Sequence, residues 1–224
     1  MMYKGVRIGS HVMKKHRKKQ SAPKRIHKVK TAVTAVRKQL NVANILTVGR
    51  VWAIPVIVLT MFSNKPFWAW TGVVLFVLAG ITDYMDGYIA RNFNQVSRFG
   101  RVLDPIADKL LVGAIIVMLA YTGRLGEWGI VPGIVILCRE ILVSGLREFL
   151  AEIKVGMPVT SLAKWKTACQ MVALPFLMVT NKVIAGDAYY YFKVTGMVTL
   201  WAAAILTVVT GYDYWKSGRK YMND

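Results

Sequence analysis

Four aspartates lie in two closely spaced pairs near the middle of the chain. Asp83 and Asp86 are three residues apart and Asp104 and Asp108 are four apart, so each pair falls on one face of a helix. Four carboxylates brought together beside a membrane would repel one another and lose hydration, which makes a bare cluster unfavourable. Divalent cations relieve that repulsion, and oxygen ligands without nearby His or Cys favour Mg²⁺ or Mn²⁺ over zinc. The spacing predicts a site with two metal ions for displacement at phosphorus.

Small and basic residues between the two pairs are suited to a phosphate. Gly87 and Ala90 would let a phosphate or nucleotide approach the helix backbone, and Arg91 could bind a pyrophosphate through two hydrogen bonds. Pro105 is expected in the first turn of the following helix, where its missing N–H costs little. The alternative for the carboxylates is salt bridging at helix ends with the basic residues nearby, which are Arg91, Arg98, Arg101 and Lys109.

Long apolar stretches must carry these aspartates. The 224 residues are 55% hydrophobic, more than is usual for a soluble protein, and the length suits one domain or at most two. Six stretches approach the roughly 20 apolar residues that a helix needs to cross a bilayer. The sequence therefore predicts an all-α integral membrane protein with six transmembrane helices. Their approximate bounds are 44–62, 67–90, 102–121, 130–149, 165–181 and 190–212.

Basic residues are unevenly distributed along the chain, and this predicts its orientation. Thirteen of the 30 Lys and Arg residues lie in residues 1–40, which contain no acid. The second and fourth connectors and the C-terminal end are also more basic than the other connectors, so both termini should face the cytoplasm. The basic residues predicted on the cytoplasmic side, beyond the leader, are Arg91, Arg98, Arg101, Lys154, Lys164, Lys166, Lys216, Arg219 and Lys220. Those predicted on the opposite side are Lys65, Arg124 and Lys182. No cleavable signal is expected, because the basic leader is too long.

The basic leader also contains a helical pattern. Ile26, Val29, Val33, Val36 and Leu40 recur at intervals of three and four among basic residues, as in an amphipathic helix on anionic membrane lipids. The predicted organisation is a basic flexible tail over 1–23, a juxtamembrane amphipathic helix over 24–42, a six-helix catalytic domain over 43–215 and a cytoplasmic tail over 216–224. A nucleic-acid partner is disfavoured because the leader has no aromatic residue beyond Tyr3. Metal binding by the leader's three histidines is a weaker alternative: His11, His16 and His27.

The aspartate motif resembles the signature of the CDP-alcohol phosphotransferase family. Residues 83–108 match Asp-x2-Asp-Gly-x2-Ala-Arg-x8-Gly-x3-Asp-x3-Asp at every specified position, including Gly100. The resemblance implies a six-helix membrane enzyme, usually a homodimer, which moves a phosphatidyl or similar group from a CDP-linked donor to an alcohol and releases CMP. It also implies that Asp83, Asp86 and Asp104 bind the metal ions, and that Asp108 is the general base and a further candidate metal ligand.

A second part of the resemblance begins just before the first helix. Asn41-Val-Ala-Asn44-Ile-Leu-Thr47-Val-Gly-Arg50 is similar to the family's Asn-x-Pro-Asn-x-Leu-Thr-x-x-Arg, with Ala43 in place of the proline. Asn44, Thr47 and Arg50 have helical spacing and are predicted to face the nucleotide. The alternative is a capping Asn44 and an Arg50 that extends to the membrane surface. The predicted donor-binding residues are Asn44, Thr47, Arg50, Asp86, Gly87, Ala90, Arg91 and Gly100.

Charged residues within the fourth and fifth predicted helices bear on the acceptor. Arg139, Arg147 and Lys164 lie near the cytoplasmic ends, where they could hold the phosphate of a phosphorylated acceptor. The alternative is that Glu140 and Glu148 neutralise these cations internally. Residues 139–152 and 162–171 are similar to the bacterial branch of the family that makes phosphatidylglycerophosphate, which implies CDP-diacylglycerol as donor and glycerol-3-phosphate as acceptor.

Two other functions share some of these features. A sibling enzyme with another acceptor, such as inositol phosphate or phosphatidylglycerol, would keep residues 83–108 and differ around the fourth and fifth helices. A small cation channel or transporter could also use intramembrane acids, but it would not need the glycine, alanine and arginine spacing. The expected location is the inner membrane of a bacterium.

Overall fold

The computed structural model describes residues 42–92, 98–156 and 160–221, which are helical apart from short connectors. Within these ranges, the side chains of residues 42–44, 86–92, 98, 99, 101 and 220 are not described. The chain divides into Met1–Lys38 and Gln39–Asp224, and all the described residues belong to the second unit. The predicted tail over 1–23 and nearly all of the predicted juxtamembrane helix over 24–42 therefore lie outside the described residues.

Each of the six predicted apolar stretches corresponds to one long helix in the described part of the chain. The long helices are α1 (Val42–Met61), α2 (Pro66–Asn92), α3 (Arg98–Tyr121), α4 (Gly126–Glu152), α5 (Ser161–Met178) and α7 (Tyr189–Gly218), with the single turn α6 (Lys182–Ala185) before α7. Short 3₁₀ turns follow α6 over Gly186–Ala188 and α7 over Arg219–Tyr221. Helix α7 thus continues past residue 215, where the sequence placed the start of a tail. The all-helical fold class is confirmed for the described residues.

Local sequence explains several helix ends. The Thr160 side chain accepts a hydrogen bond from the Ala163 N–H at 3.3 Å, so α5 begins with a capping threonine. Gly123 and Gly126 have φ of +69° and +59°, values that glycine adopts readily, and they form the tight turn between α3 and α4. The prediction that Pro105 lies in a first turn is wrong, because α3 begins at Arg98 and Pro105 lies inside the helix.

Helix packing brings the aspartate-bearing helices together. Helix α1 packs against both α2 and α3, α7 packs against both α4 and α5, and α2 contacts α5. One apolar core runs through the bundle, with fully buried residues from every long helix: Ile57, Phe76, Ile115, Ile136, Leu177 and Leu200. At one end, the Arg124 guanidinium donates a hydrogen bond to the Met178 carbonyl, which joins the turn before α4 to the end of α5.

The distribution of polarity is that of a protein in lipid. Large apolar side chains cover the outside of the helices, whereas threonines and charged groups are buried within the bundle. Most exposed aromatic residues lie near the ends of the bundle, as at the two interfaces of a bilayer, although Trp52 and Trp201 lie near the middle of α1 and α7. At the end away from the aspartates they are Phe62, Phe67, Trp68, Tyr121, Trp128, Tyr190 and Tyr191, and at the other end Tyr84, Phe149, Trp165, Tyr212 and Trp215.

Length and composition identify membrane-crossing helices among the described residues. Three segments are long and apolar enough to cross a bilayer: Pro66–Met85, Gly126–Glu152 and Lys182–Gly218. Ile45–Met61 is a shorter apolar helix. Helices α3 and α5 are not among these segments. Both carry charged residues within the helix: Asp104, Asp108 and Lys109 in α3, and Lys164 and Lys166 in α5. The chain is thus a helical protein with several membrane-compatible helices.

Close packing of α5 against α7 predicts a strong effect of adding one methyl group. A Cβ on Gly196 would lie 2.8 Å from Leu177 Cγ and 3.3 Å from the Leu177 backbone nitrogen. We expect Gly196→Ala to destabilise the fold by about 1 to 3 kcal/mol, because a full core must shift to admit the atom. The measurement is the thermal unfolding midpoint in detergent.

Gly145→Ala in α4 is the matched control for this substitution. A Cβ there meets nothing within 4 Å, and alanine favours a helix over glycine by up to about 1 kcal/mol. Its midpoint should be unchanged or higher. If both variants behaved alike, helix propensity rather than the contact with Leu177 would control the effect.

Candidate active site

Helix α1 connects the two aspartate pairs. The Thr47 hydroxyl donates a hydrogen bond to Asp104 Oδ1 at 2.5 Å, and the Arg50 guanidinium forms a salt bridge with Asp83. Thr47 and Arg50 are three residues apart, so they share one face of α1, and both are buried. The Asp83 carboxylate is about half exposed. Helix α1 therefore holds the ends of α2 and α3 together at the predicted metal site.

Asp108 lies one turn along α3 from Asp104. It interacts electrostatically with Asp83 and Arg50 on one side and with Glu140 and Lys166 on the other. Asp108 also lines the cavity between α3, α4, α5 and α7. Among Asp83, Asp104 and Asp108, whose side chains the structure describes, only Asp108 belongs to both the aspartate motif and the lining of this cavity.

Several predicted donor residues cannot be placed by their side chains. Helix α2 extends through residues 86–92, but the side chains of Asp86, Ala90 and Arg91 lie outside the described part, as does the side chain of Asn44. Gly87 falls in the same stretch of α2, whereas Gly100, in the first turn of α3, is buried. Thr47 and Arg50 bind the carboxylates of Asp104 and Asp83. Their contact with a nucleotide stays a prediction.

The chemistry of the described acids fits a divalent cation. The negative charges of Asp83 and Asp108 repel each other, and a cation between carboxylates relieves such repulsion. Without the Asp86 side chain, the described His, Cys, Asp and Glu residues form no group of three that could hold a metal ion. The oxygen donors are those that Mg²⁺ and Mn²⁺ prefer.

A cavity of about 570 Å³ adjoins the aspartate motif. Such a volume suits a small molecule. Four basic side chains contribute to its lining, together with Asp108, two glutamates and one tyrosine. The charged and aromatic lining residues are Lys109, Arg139, Arg147, Lys166, Asp108, Glu140, Glu148 and Tyr214.

Glu140 on α4 is the central acid of the cavity. It forms a salt bridge with Lys166 on α5, and its Oε1 lies 3.8 Å from Nη1 of Arg139. Lys166 is buried, while Glu140 and Arg139 are partly buried. The alternative reading of internal neutralisation thus holds for Glu140, whose partners include a lysine on a neighbouring helix. Glu140 is thus placed beside two cations that line the same cavity.

Arg139 is fixed by helix α7. Its Nη2 donates a hydrogen bond to Thr210 Oγ1 at 2.8 Å, and its guanidinium lies 5.6 Å from the centre of the Tyr214 ring. A Cβ on Gly211 would lie 3.2 Å from Arg139 Cγ, so the glycine provides room for the arginine stem. Helices α4 and α7 therefore aim Arg139 at the cavity.

The other predicted acceptor residues differ in position. Arg147 is exposed and lines the cavity, two turns along α4 from Arg139. Lys164 is exposed and does not belong to the cavity lining, whereas Lys166, two residues later, does. Sequence reasoning placed Lys166 only among the basic residues of a connector. Its spacing of four from Gln170, which is also buried, is the signal that could have identified it.

Comparisons with known proteins identify the family of the chain. The family model for CDP-alcohol phosphatidyltransferase matches residues 40–209. The chain is 52% identical over 181 residues to a CDP-diacylglycerol–glycerol-3-phosphate 3-phosphatidyltransferase of Rickettsia bellii, with 81% of this chain and 97% of the relative covered.

More distant bacterial relatives carry the same name. The relative from Cereibacter sphaeroides is 38% identical in an alignment of 217 positions that covers 82% of this chain and 98% of the relative. The relative from Escherichia coli strain K12 is 33% identical over 189 residues, which cover 83% and 99%. The chain belongs to the CDP-alcohol phosphatidyltransferase family, and the resemblance seen in residues 83–108 is confirmed.

Proposed function

We propose that this chain is a phosphatidylglycerophosphate synthase, which transfers a phosphatidyl group from CDP-diacylglycerol to glycerol-3-phosphate and releases CMP. The similar proteins named above support both substrates. The structural observation that carries the proposal is the position of Asp108, which belongs to the aspartate motif, interacts electrostatically with Asp83 and lines a cavity that bears several cations. A donor at the aspartates and a phosphorylated acceptor in the cavity would then meet at this carboxylate.

The donor would occupy the end of the bundle where α1, α2 and α3 meet. Asp83, Asp86, Asp104 and Asp108 would hold two Mg²⁺ or Mn²⁺ ions there. Bound cations would neutralise the pyrophosphate and the charge that develops on departing CMP. The nucleotide and its phosphates would contact residues of α1, of the motif and of the start of α3: Asn44, Thr47, Arg50, Gly87, Ala90, Arg91 and Gly100.

Asp108 would act as the general base. It would take the proton from the acceptor hydroxyl while the hydroxyl oxygen forms a bond to the β-phosphorus of the donor. The bond from that phosphorus to the bridging oxygen breaks, and CMP leaves with the electron pair. Thr47 and Arg50 support this step by holding the helix ends that carry Asp104 and Asp83.

The acceptor phosphate would bind among the cavity cations. Arg139 and Arg147 line the cavity, and Lys166 adds a third cation. Lys164 is retained as a predicted acceptor residue at the exposed edge of α5. Charged hydrogen bonds to a phosphate are strong, and arginine can supply two at once. Such a cation set favours a phosphorylated acceptor over a neutral alcohol.

We further propose that all six long helices cross the inner membrane of a bacterium, with both termini in the cytoplasm. Exposed aromatic residues at the ends of α3 and α5, Tyr121 and Trp165, support spans for the two helices with the most charge. Asp104 is hydrogen-bonded to α1, and Asp108, Lys109 and Lys166 line the cavity, where ion pairing offsets the cost of burial. The usual assembly of the family leads us to propose a homodimer in contact with anionic lipids.

A panel of acceptors tests the proposed function. Purified protein with CDP-diacylglycerol and Mg²⁺ should release CMP with glycerol-3-phosphate, and much more slowly with inositol phosphate or phosphatidylglycerol. Faster release with either of those acceptors would assign the chain to a sibling activity. Absence of release with every acceptor, together with cation flux in vesicles, would favour the channel or transporter.

Asp108→Asn tests the role of the base. We expect kcat to fall by about 10² to 10⁴, the usual contribution of general base catalysis, with little change in the affinity for the donor. The measurements are steady-state kinetics with each substrate varied and binding of the CDP-linked donor by calorimetry. A collapse of donor affinity that accounts for the whole loss would make Asp108 chiefly a metal ligand.

A further inference from the structure

Three buried polar atoms, one each on α4, α5 and α7, have no hydrogen-bond partner among the described residues, and the first of them belongs to a residue that lines the cavity. They are Nε of Arg139, Nε2 of Gln170 and Oγ1 of Thr207. Gln170 is 4% exposed and Thr207 is fully buried. Buried polar groups in folded proteins nearly always have a partner, either a protein atom or an ordered water molecule.

Gly211 on α7 packs against Arg139 on α4, and Thr207 lies one turn of α7 from Gly211. The Arg139 Nε lies 3.5 Å from the position that a Cβ on Gly211 would take. Thr207 precedes Gly211 by four residues on α7, so both face the same side of that helix, one turn apart. The hydroxyl of Thr207 therefore lies on the face of α7 against which Arg139 packs.

Gln170 approaches the same region from α5. It follows Lys166 by four residues and shares its helix face, and Lys166 is paired with Glu140, the neighbour of Arg139 in the chain. Among the described helices, α5 and α7 form the most extensive contact. Gln170 and Thr207 thus extend the polar set of Lys166, Glu140 and Arg139 by one turn towards the core.

We propose that Arg139, Gln170 and Thr207 bind one water molecule beneath the cavity, and that this water orients the Arg139 guanidinium for the acceptor phosphate. The N–H groups of Arg139 and Gln170 donate to the two lone pairs of the water, which donates in turn to the Thr207 oxygen. Three partners are typical of a buried water. The proposal rests on the proposed function for the identity of the acceptor, whereas the water site rests on the three buried atoms.

The proposed water would fix the plane of the Arg139 guanidinium. Thr210 holds Nη2 and the Tyr214 ring lies against the guanidinium, but neither contact engages Nε. A hydrogen bond at Nε limits rotation of the group about its Cδ–Nε bond. Gln170 and Thr207 are therefore positioning residues, which act on the acceptor through Arg139.

The test compares Thr207→Val, which removes the hydroxyl with little change of shape, with Thr207→Ser, which keeps it. Thr207→Val should raise the KM for glycerol-3-phosphate about three- to ten-fold, the worth of one hydrogen bond, and leave kcat and the KM for CDP-diacylglycerol within about two-fold. Thr207→Ser should restore most of the acceptor KM. Thr199→Val is the control, because its hydroxyl already donates to the Thr195 carbonyl at 2.7 Å within α7.

Gln170→Leu and the double variant with Thr207→Val test whether the two residues share one water. A shared water predicts that the double variant raises the acceptor KM no further than the larger single effect. Additive effects would overturn the shared site. An unchanged KM for glycerol-3-phosphate together with a higher unfolding midpoint in Thr207→Val would also overturn it. The Thr207 hydroxyl would then have no partner, and valine would stabilise the fold by removing a buried unpaired group.

The unfolding midpoint without substrate separates this proposal from the proposed function. A resident water predicts that Thr207→Val and Gln170→Leu each lower the midpoint of the substrate-free protein, again without additivity. If the protein released no CMP with glycerol-3-phosphate, the proposed function would fail and this measurement alone would decide the water site. A midpoint effect seen only with acceptor bound would show that the acceptor contacts Thr207 directly, and would overturn the water.

Discussion

Asp104→Asn and Asp83→Asn should each reduce Mg²⁺-dependent CMP release by at least about a thousand-fold. Metal ions stabilise a transferring phosphoryl group by several kcal/mol, and each 1.36 kcal/mol corresponds to about ten-fold in rate. An amide in place of a carboxylate keeps the shape but removes the charge that holds the cation. The helix ends should remain in place, because asparagine can still accept a hydrogen bond from Thr47 or Arg50.

CMP release measured against Mg²⁺ and Mn²⁺ concentration tests this result, with the unfolding midpoint in detergent as a check on folding. Asp187→Asn is the control, because that aspartate is exposed in the turn before α7, far from the motif in sequence. It should retain full activity. Turnover close to that of the unsubstituted protein in either motif variant would contradict the assignment of two metal ions.

Thr47→Val tests whether Thr47 acts by orienting Asp104 or has a more direct role at the metal site. Loss of the hydrogen bond to Asp104 should weaken the apparent affinity for Mg²⁺ by about ten- to a hundred-fold, as for other groups that hold a metal ligand. High Mg²⁺ should restore much of the rate in Thr47→Val but not in Asp104→Asn. Equal loss in both variants at all Mg²⁺ concentrations would assign Thr47 a more direct role.

Removal of the cavity cations should affect the acceptor rather than the donor. A charged hydrogen bond is worth about 1.5 to 3 kcal/mol, so Arg139→Ala, Arg147→Ala or Lys166→Ala should raise the KM for glycerol-3-phosphate roughly ten- to a hundred-fold. The KM for CDP-diacylglycerol should change little. Arg91→Ala should do the reverse, because Arg91 belongs to the pyrophosphate end of the motif.

Lys164 and Lys166 offer a comparison within one turn of α5. Both were candidates for the basic side of the membrane, but only Lys166 lines the cavity, so Lys166→Ala should have the larger effect on the acceptor KM. Since this change leaves Glu140 without its lysine, the double variant with Glu140→Gln controls for an unpaired acid. Equal effects on both substrates in every cation variant would make these residues structural partners of Glu140 and Glu148.

Particular residues show how far the sequence could predict the site. The spacing of Asp83 and Asp104 within a specific motif identified the family without any structure. The same reasoning predicted that Thr47 and Arg50 contact a nucleotide, which stays a prediction, but it did not reveal that both are buried and bound to two of the aspartates. It also placed Pro105 at a helix start, because the charged residues that precede it looked like a connector. Such residues continue a helix when their side chains extend towards an aqueous end or a partner.

The sequence by itself determined the helical membrane architecture, because the length of apolar runs and the need to satisfy backbone groups in lipid leave few other folds. It also identified the aspartate motif and with it the family, because residue types at fixed spacing along a helix are local properties. Only the tertiary structure decided which cations share a cavity with Asp108. Lys166 faces Glu140 and Lys164 does not, and this follows from the rotation of α5 against α4. That rotation is set by packing over whole helix surfaces, so no local pattern in the chain reveals it.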